Sequence, residues 1–149
     1  MVLPLRVLTS DAFAAYGAVL DLEAPDPGRA AAGQTEFRVI TRSSDPTGWR
    51  LAVLRIRNHE ADRLEAHPTT QESFEPMWGV TVICVAEPDS PERIEAFVLD
   101  RPVCLHAGVW HAVTALTAES QIKIAENLEV TSRHHPLAKP LRAVLAETG

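Results

Sequence analysis

The chain has 149 residues, 46% of them hydrophobic and 23% charged, with a formal net charge of −6. That is the balance of one globular domain, spanning 1–149, that can bury a real core. Scattered basic residues argue against nucleic acid as a partner, and the absence of any apolar run near the roughly 20 residues that cross a bilayer argues against a membrane.

Met1 to Arg6 lacks the charged-then-apolar layout of a signal peptide. The two cysteines, Cys84 and Cys104, lie in apolar, strand-like runs. Buried free thiols in a reducing cytoplasm are the expectation.

In chain order, Thr9 or Ser10 is placed to cap a short helix through Asp11–Tyr16, which Gly17 ends. A strand is expected over Ala18–Leu22, followed from Glu23 to Gly33 by a loop rich in proline, alanine and glycine. Phe37–Ile40 reads as a short strand, and Ser43–Gly48 as a turn. Trp49–Ile56 reads as a strand with Leu51, Val53, Arg55 and Arg57 on one side and Ala52, Leu54 and Ile56 on the other. Val80–Ala86 is the clearest strand, followed by Ile94–Leu99, Val103–His106, Val113–Leu116 and Gln121–Ala125. The tail from Pro136 to Glu147, with Leu137, Leu141, Val144 and Leu145, has the spacing of a short amphipathic helix. Many short strands with turn signals every ten or so residues predict an all-β barrel or sandwich with short N- and C-terminal helices.

Two separated stretches carry the chemistry. The first has His67, Glu72 after four intervening residues, and Gly79 after six more. The second is His106-Ala-Gly108-Val-Trp110-His111. Period-two strand geometry allows Glu65 and His67 to face one interior, and a turn then returns Glu72 toward them while His111 arrives from a neighbouring strand. Two imidazoles with one or two carboxylates suit a divalent ion such as Ni, Mn, Fe or Zn. Metal-ligand candidates are therefore Glu65, His67, Glu72 and His111, and the candidates for chemistry are His67, Glu72 and His111. The bland alternative gives each residue a structural or solvated role.

The spacing resembles the two halves of the cupin motifs, with His106 standing in the proline place of Pro-x-Gly-x-x-His. More specifically, the chain resembles the ureidoglycolate lyase family. Phe13-Ala-Ala-Tyr16-Gly17 is like that family's Phe-x-x-Tyr-Gly, and Leu64-Glu65-Ala66-His67-Pro68 like its Leu-Glu-Arg-His-Pro. Phe74-Glu-Pro76-Met77 is like its Phe-Ile-Pro-Met, Ala96-Phe97-Val98 like its Arg-Ala-Phe, and His106 to His111 like its Tyr-His-x-x-x-Trp-His.

The resemblance implies a cupin-like double-stranded β-helix barrel, a homodimer, and conversion of ureidoglycolate to glyoxylate and urea in allantoin degradation. It further implies Arg57, with His106 and Trp110, as the substrate-binding set for a small anionic metabolite. The chain departs from the family pattern at Glu72, where glutamine is usual, at Ala112, where a second histidine is usual, and at Ala125 and Glu126, where aspartate and arginine are usual. A metal-dependent cupin oxygenase or isomerase, and a non-catalytic cupin that binds a small metabolite, are the alternative functions.

Overall fold

A computed structural model describes residues 1–22 and 37–145. The loop expected at Glu23 to Gly33 lies outside the described residues. Eleven strands and one helix are present among those described: β1 (Val2–Arg6), α1 (Ser10–Phe13), β2 (Gly17–Val19), β3 (Trp49–Ile56), β4 (Ala61–Ala66), β5 (Glu72–Trp78), β6 (Thr81–Ala86), β7 (Glu95–Val98), β8 (Val103–Leu105), β9 (Trp110–Ala115), β10 (Ser120–Asn127) and β11 (Arg133–Val144).

The strands form two units. A closed ring runs β1-β11-β4-β9-β6-β7, and a five-stranded sheet runs β2-β8-β5-β10-β3. This is the all-β barrel that the strand pattern predicts, and a cupin-like form is what the family resemblance implies.

β6 shows why the two units pack. Its Thr-Val-Ile-Cys-Val-Ala is apolar on both faces and wholly buried, as a strand covered on both sides must be. Val82, Cys84 and Ala86 join Leu64, Ala66, Ala96, Trp110 and Leu141 in one core to which every strand of the ring contributes. Ile83 and Val85 face the other way, toward Phe74, Phe97, Val103, Leu105 and Ile122 in the core between ring and sheet. The short N-terminal helix forms as expected, with Thr9 accepting a hydrogen bond from the Ala12 N–H. It packs Phe13 edge-on against Phe97 and Tyr16, with ring centroids 5.3 and 5.7 Å away.

Two local expectations are overturned. Phe37–Ile40 forms no strand; Phe37 is exposed and finds no sheet edge. The C-terminal helix expected from Pro136 is instead strand β11 within the described residues. Pro140 would fall inside such a helix, where its ring clashes with the preceding turn and a hydrogen bond is lost. The segment pairs antiparallel with β4 and parallel with β1, and its register shifts between Pro136 and Leu141. That irregularity breaks the period of two and leaves apolar spacings that imitate a helix.

Candidate active site

The site lies in the space between ring and sheet, where strand parity turns polar residues into an otherwise apolar layer. In β4, Arg63 and Glu65 alternate with the core residues Leu64 and Ala66, and His67 follows at the same parity. In β9, His111 sits opposite both Glu65 of β4 and Val85 of β6, so it shares the face that Val85 turns to the inter-layer core. In β5, Glu72 begins the row that Phe74 continues, and the Phe74 ring meets His111 edge-on at 5.4 Å. Gly108, at a φ of +84°, makes the turn before His111. Its N–H donates to the His67 carbonyl at 2.8 Å, which joins the two halves of the site directly.

His67, Glu72 and His111 are all buried. Glu72 Oε2 lies 3.2 Å from His67 Nε2 and 3.1 Å from His111 Nε2. The opposite ring nitrogens are engaged: His67 Nδ1 with the Thr131 carbonyl at 3.2 Å and the Ser132 hydroxyl at 3.2 Å, His111 Nδ1 with the Val109 carbonyl at 3.1 Å. An Nδ1–H donating to a carbonyl leaves the lone pair on Nε2, the tautomer of a metal ligand with its outer support in place. Two lone pairs and a carboxylate converging in a buried space repel unless a positive charge lies among them.

A proton on His67 supplies that charge in part. Contact with the Glu72 carboxylate pushes His67 up to about 9, against the opposing effect of burial. Burial acts to raise the Glu72 carboxyl, but the two imidazoles outweigh it and hold the group at about 2. A divalent ion supplies the charge more fully. Ligands at right angles on bonds of about 2.1 Å stand about 3.0 Å apart, which is close to the 3.2 and 3.1 Å between Glu72 Oε2 and the two imidazole nitrogens. The donor set therefore fits a metal, and Glu65, His67 and His111 also place one ligand atom each within 4.8 Å of one another.

A cavity of about 520 Å³ opens over the cluster, floored by Phe74, Val113 and Ile124 and lined by Glu60, Asp62, Arg63, Glu65, Glu72 and His111. Arg63 is the sole lysine or arginine among its described lining residues.

The structure thus gathers Glu65, His67, Glu72 and His111 and leaves three expected substrate-binding residues elsewhere. Arg57 carries the outward parity of β3; its side chain is 67% exposed and its Nε donates to Glu119 at 3.0 Å. His106 is exposed, with Nε2 3.4 Å from the Ala14 carbonyl. Trp110 precedes His111 on the strand and so faces the opposite core, where its Nε1–H donates to the Pro88 carbonyl. Sequence reading passed over Arg63 and took Glu126 only as a departure from the family pattern. Both lay in plain alternation, Arg63 with Glu65 and His67, Glu126 with Ile122 and Ile124.

A profile of the family described as ureidoglycolate lyase matches residues 1–136. The chain belongs to the ureidoglycolate lyase family. Among curated lyases of this name, one from Agrobacterium fabrum is 27% identical over 138 residues, covering 83% of this chain and 83% of its own. One from Rhizobium leguminosarum bv. trifolii is 30% identical over 122 residues, covering 73% of this chain and 74% of its own. Among solved structures, vicilin from Solanum lycopersicum aligns with a TM-score of 0.46 at 13% identity, covering 60% of this chain and 26% of that one.

Proposed function

We propose that the chain is a ureidoglycolate lyase, releasing glyoxylate and urea in allantoin breakdown, with a divalent ion of the Ni, Mn, Fe or Zn group held by His67, Glu72 and His111. The observation that carries the reading is the convergence of those three side chains under a cavity, in a chain of this family.

The ion, when bound, supplies Lewis acidity toward the substrate's oxygens. Arg63 receives the substrate carboxylate at the cavity rim, the role first assigned to Arg57. Glu65 is half-buried, faces the cavity opposite His111, and carries the proton. It takes the proton of the carbinol hydroxyl as the O–H electron pair forms the carbonyl π bond, the C–N bond breaks with its pair going to nitrogen, and the same proton passes to the departing urea. Phe74, Val113 and Ile124 keep water from the floor.

The test is glyoxylate release from ureidoglycolate by purified, metal-replete protein. Release that His111→Ala abolishes is the expected result, and no release from the intact protein defeats the proposal. Glu72, in place of the glutamine usual in the family, favours a second reading as a metal-dependent oxygenase or isomerase; bound metal together with inertness toward ureidoglycolate would mark it.

The chain's thiols, both free and buried, suit a reducing cytoplasm. No helix among the described residues is long and apolar enough to cross a membrane. A homodimer is the proposed assembly, supported by β3, an edge strand with Trp49, Leu51 and Val53 exposed.

A further inference from the structure

Glu126 stands in β10 directly opposite Glu72 of β5 on one side and Arg50 of β3 on the other. Its side chain is 8% exposed. One carboxylate oxygen, Oε1, accepts from Arg50 Nε at 2.9 Å and Nη2 at 2.7 Å. The other, Oε2, is buried with no hydrogen-bond partner. Ligand atoms of His67, Glu72 and Glu126 lie within 4.8 Å of one another.

Like charges directly opposed on neighbouring strands destabilise a sheet, and a buried carboxylate oxygen without a partner costs more still. Arg50 relieves only the outer oxygen. Hydrogen bonds of the next residue hold this end of the strand: the Asn127 N–H donates to Thr70 Oγ1 at 3.0 Å and Asn127 Nδ2 to the Thr69 carbonyl at 3.3 Å, tying the end of β10 to the turn before Glu72.

We infer that Glu126 is a further carboxylate ligand of an ion held at His67 and Glu72, so that this chain offers an oxygen-rich site that favours Mn(II) or Fe(II) over Ni(II). Carboxylate oxygens suit the harder ions, whereas imidazole alone leaves the usual order that favours nickel. The inference rests on the metal-holding reading of the three-residue cluster and is independent of the lyase reaction.

The experiment is Mn(II) and Ni(II) titration of chelator-stripped full-length protein, followed by calorimetry and, for manganese, by the EPR signal of the free ion. The chains compared are wild type, Glu126→Gln, Glu126→Asp and His111→Ala. Glu126→Gln keeps the shape and an oxygen for Arg50 while removing the charge. It is expected to weaken Mn(II) binding by about tenfold or more and Ni(II) binding by clearly less, with one ion per chain retained. Glu126→Asp is expected to lie between wild type and Glu126→Gln, and provides the charged comparison if the glutamine variant fails to fold by circular dichroism.

Unchanged Mn(II) affinity in Glu126→Gln, alongside lost binding in His111→Ala, overturns the role of Glu126 and leaves the cluster standing. Equal weakening of both ions overturns it too, because a residue acting only on the fold does not discriminate between them. Absence of binding by wild type overturns the metal reading itself.

Discussion

Glu72→Gln separates the two sources of positive charge in the site. In metal-free protein the Glu72 carboxylate pushes His67 up to about 9 from an ordinary value of 6.5, while burial opposes the shift. The variant keeps the side chain's size and removes its charge, so burial is left unopposed by its main counterweight. His67 is then expected to titrate at about 6.5 or below, followed by the ring proton signals in NMR. The same contact has a stability signature. A raised histidine contributes fully below 6.5 and loses its contribution as pH climbs through about 9. A lowered carboxyl contributes fully above 4.5 and loses it as pH falls toward about 2. These are two views of one contact, so the Tm advantage of metal-free wild type over Glu72→Gln should be largest between pH 4.5 and 6.5 and fade by about 9. A His67 midpoint that stays at about 9 in the variant, or a Tm difference flat across that range, would refute the reasoning.

Arg63→Ala should raise KM for ureidoglycolate with kcat largely kept, while Arg57→Ala leaves both unchanged; steady-state glyoxylate assays distinguish the two, and the reverse pattern returns the carboxylate anchor to Arg57. Gly108→Ala meets only Pro88, at 3.7 Å, but requires a side chain at a φ of +84°, so its cost is the left-handed backbone alone, about 1–2 kcal/mol. Gly79→Ala adds to a φ of +69° a clash with the Glu119 carbonyl, and should lower Tm well beyond Gly108→Ala in parallel melts. Val53→Lys on the outward face of β3 should convert a sedimenting dimer to monomer without loss of the fold; a species of unchanged mass would remove β3 from the interface.

Several strands with apolar inward residues were legible, although β1, which turns Leu3 and Leu5 to the core, was not. Trp49–Ile56 matches β3 residue for residue, and Val80–Ala86, Ile94–Leu99 and Val103–His106 each match to within a residue at either end. β4 and β5 were not, because the residues they turn inward include Glu65 and Glu72, and a functional interior erases the alternation that marks a strand. β11 was hidden by its two prolines and its register shift. Glu126 was read as the loss of a family arginine. The same row, Ile122-Ile124-Glu126, shows instead that its charge is turned inward, toward Glu72. Arg57 was misplaced although the correct parity had been assigned, since Arg55 and Arg57 alternate with the buried Ile56 and together flank Glu119 on the outside.

The departures from the family pattern are coupled through charge. Glu65, Glu72 and Glu126 bring three carboxylates to the surroundings of His67, and Arg50 pairs with one of them. With only a proton on His67 the pocket floor stays negative and repels a small carboxylate. With a divalent ion in its place those carboxylates would be offset, and Arg63, set between Glu60 and Asp62 in the chain and Glu65, would be the cationic side chain that an anion meets among the described lining residues. Exchange of glutamine for Glu72 and of arginine for Glu126 therefore need not reverse the preference for an anionic substrate. If the proposed ion is bound, the burden of attracting that substrate passes from a fixed guanidinium to the ion, and affinity for the substrate depends on affinity for the metal. Glu126→Gln is then expected to loosen the hold on the ion while leaving a less negative floor, so that at saturating metal its KM should fall at or below that of the wild type.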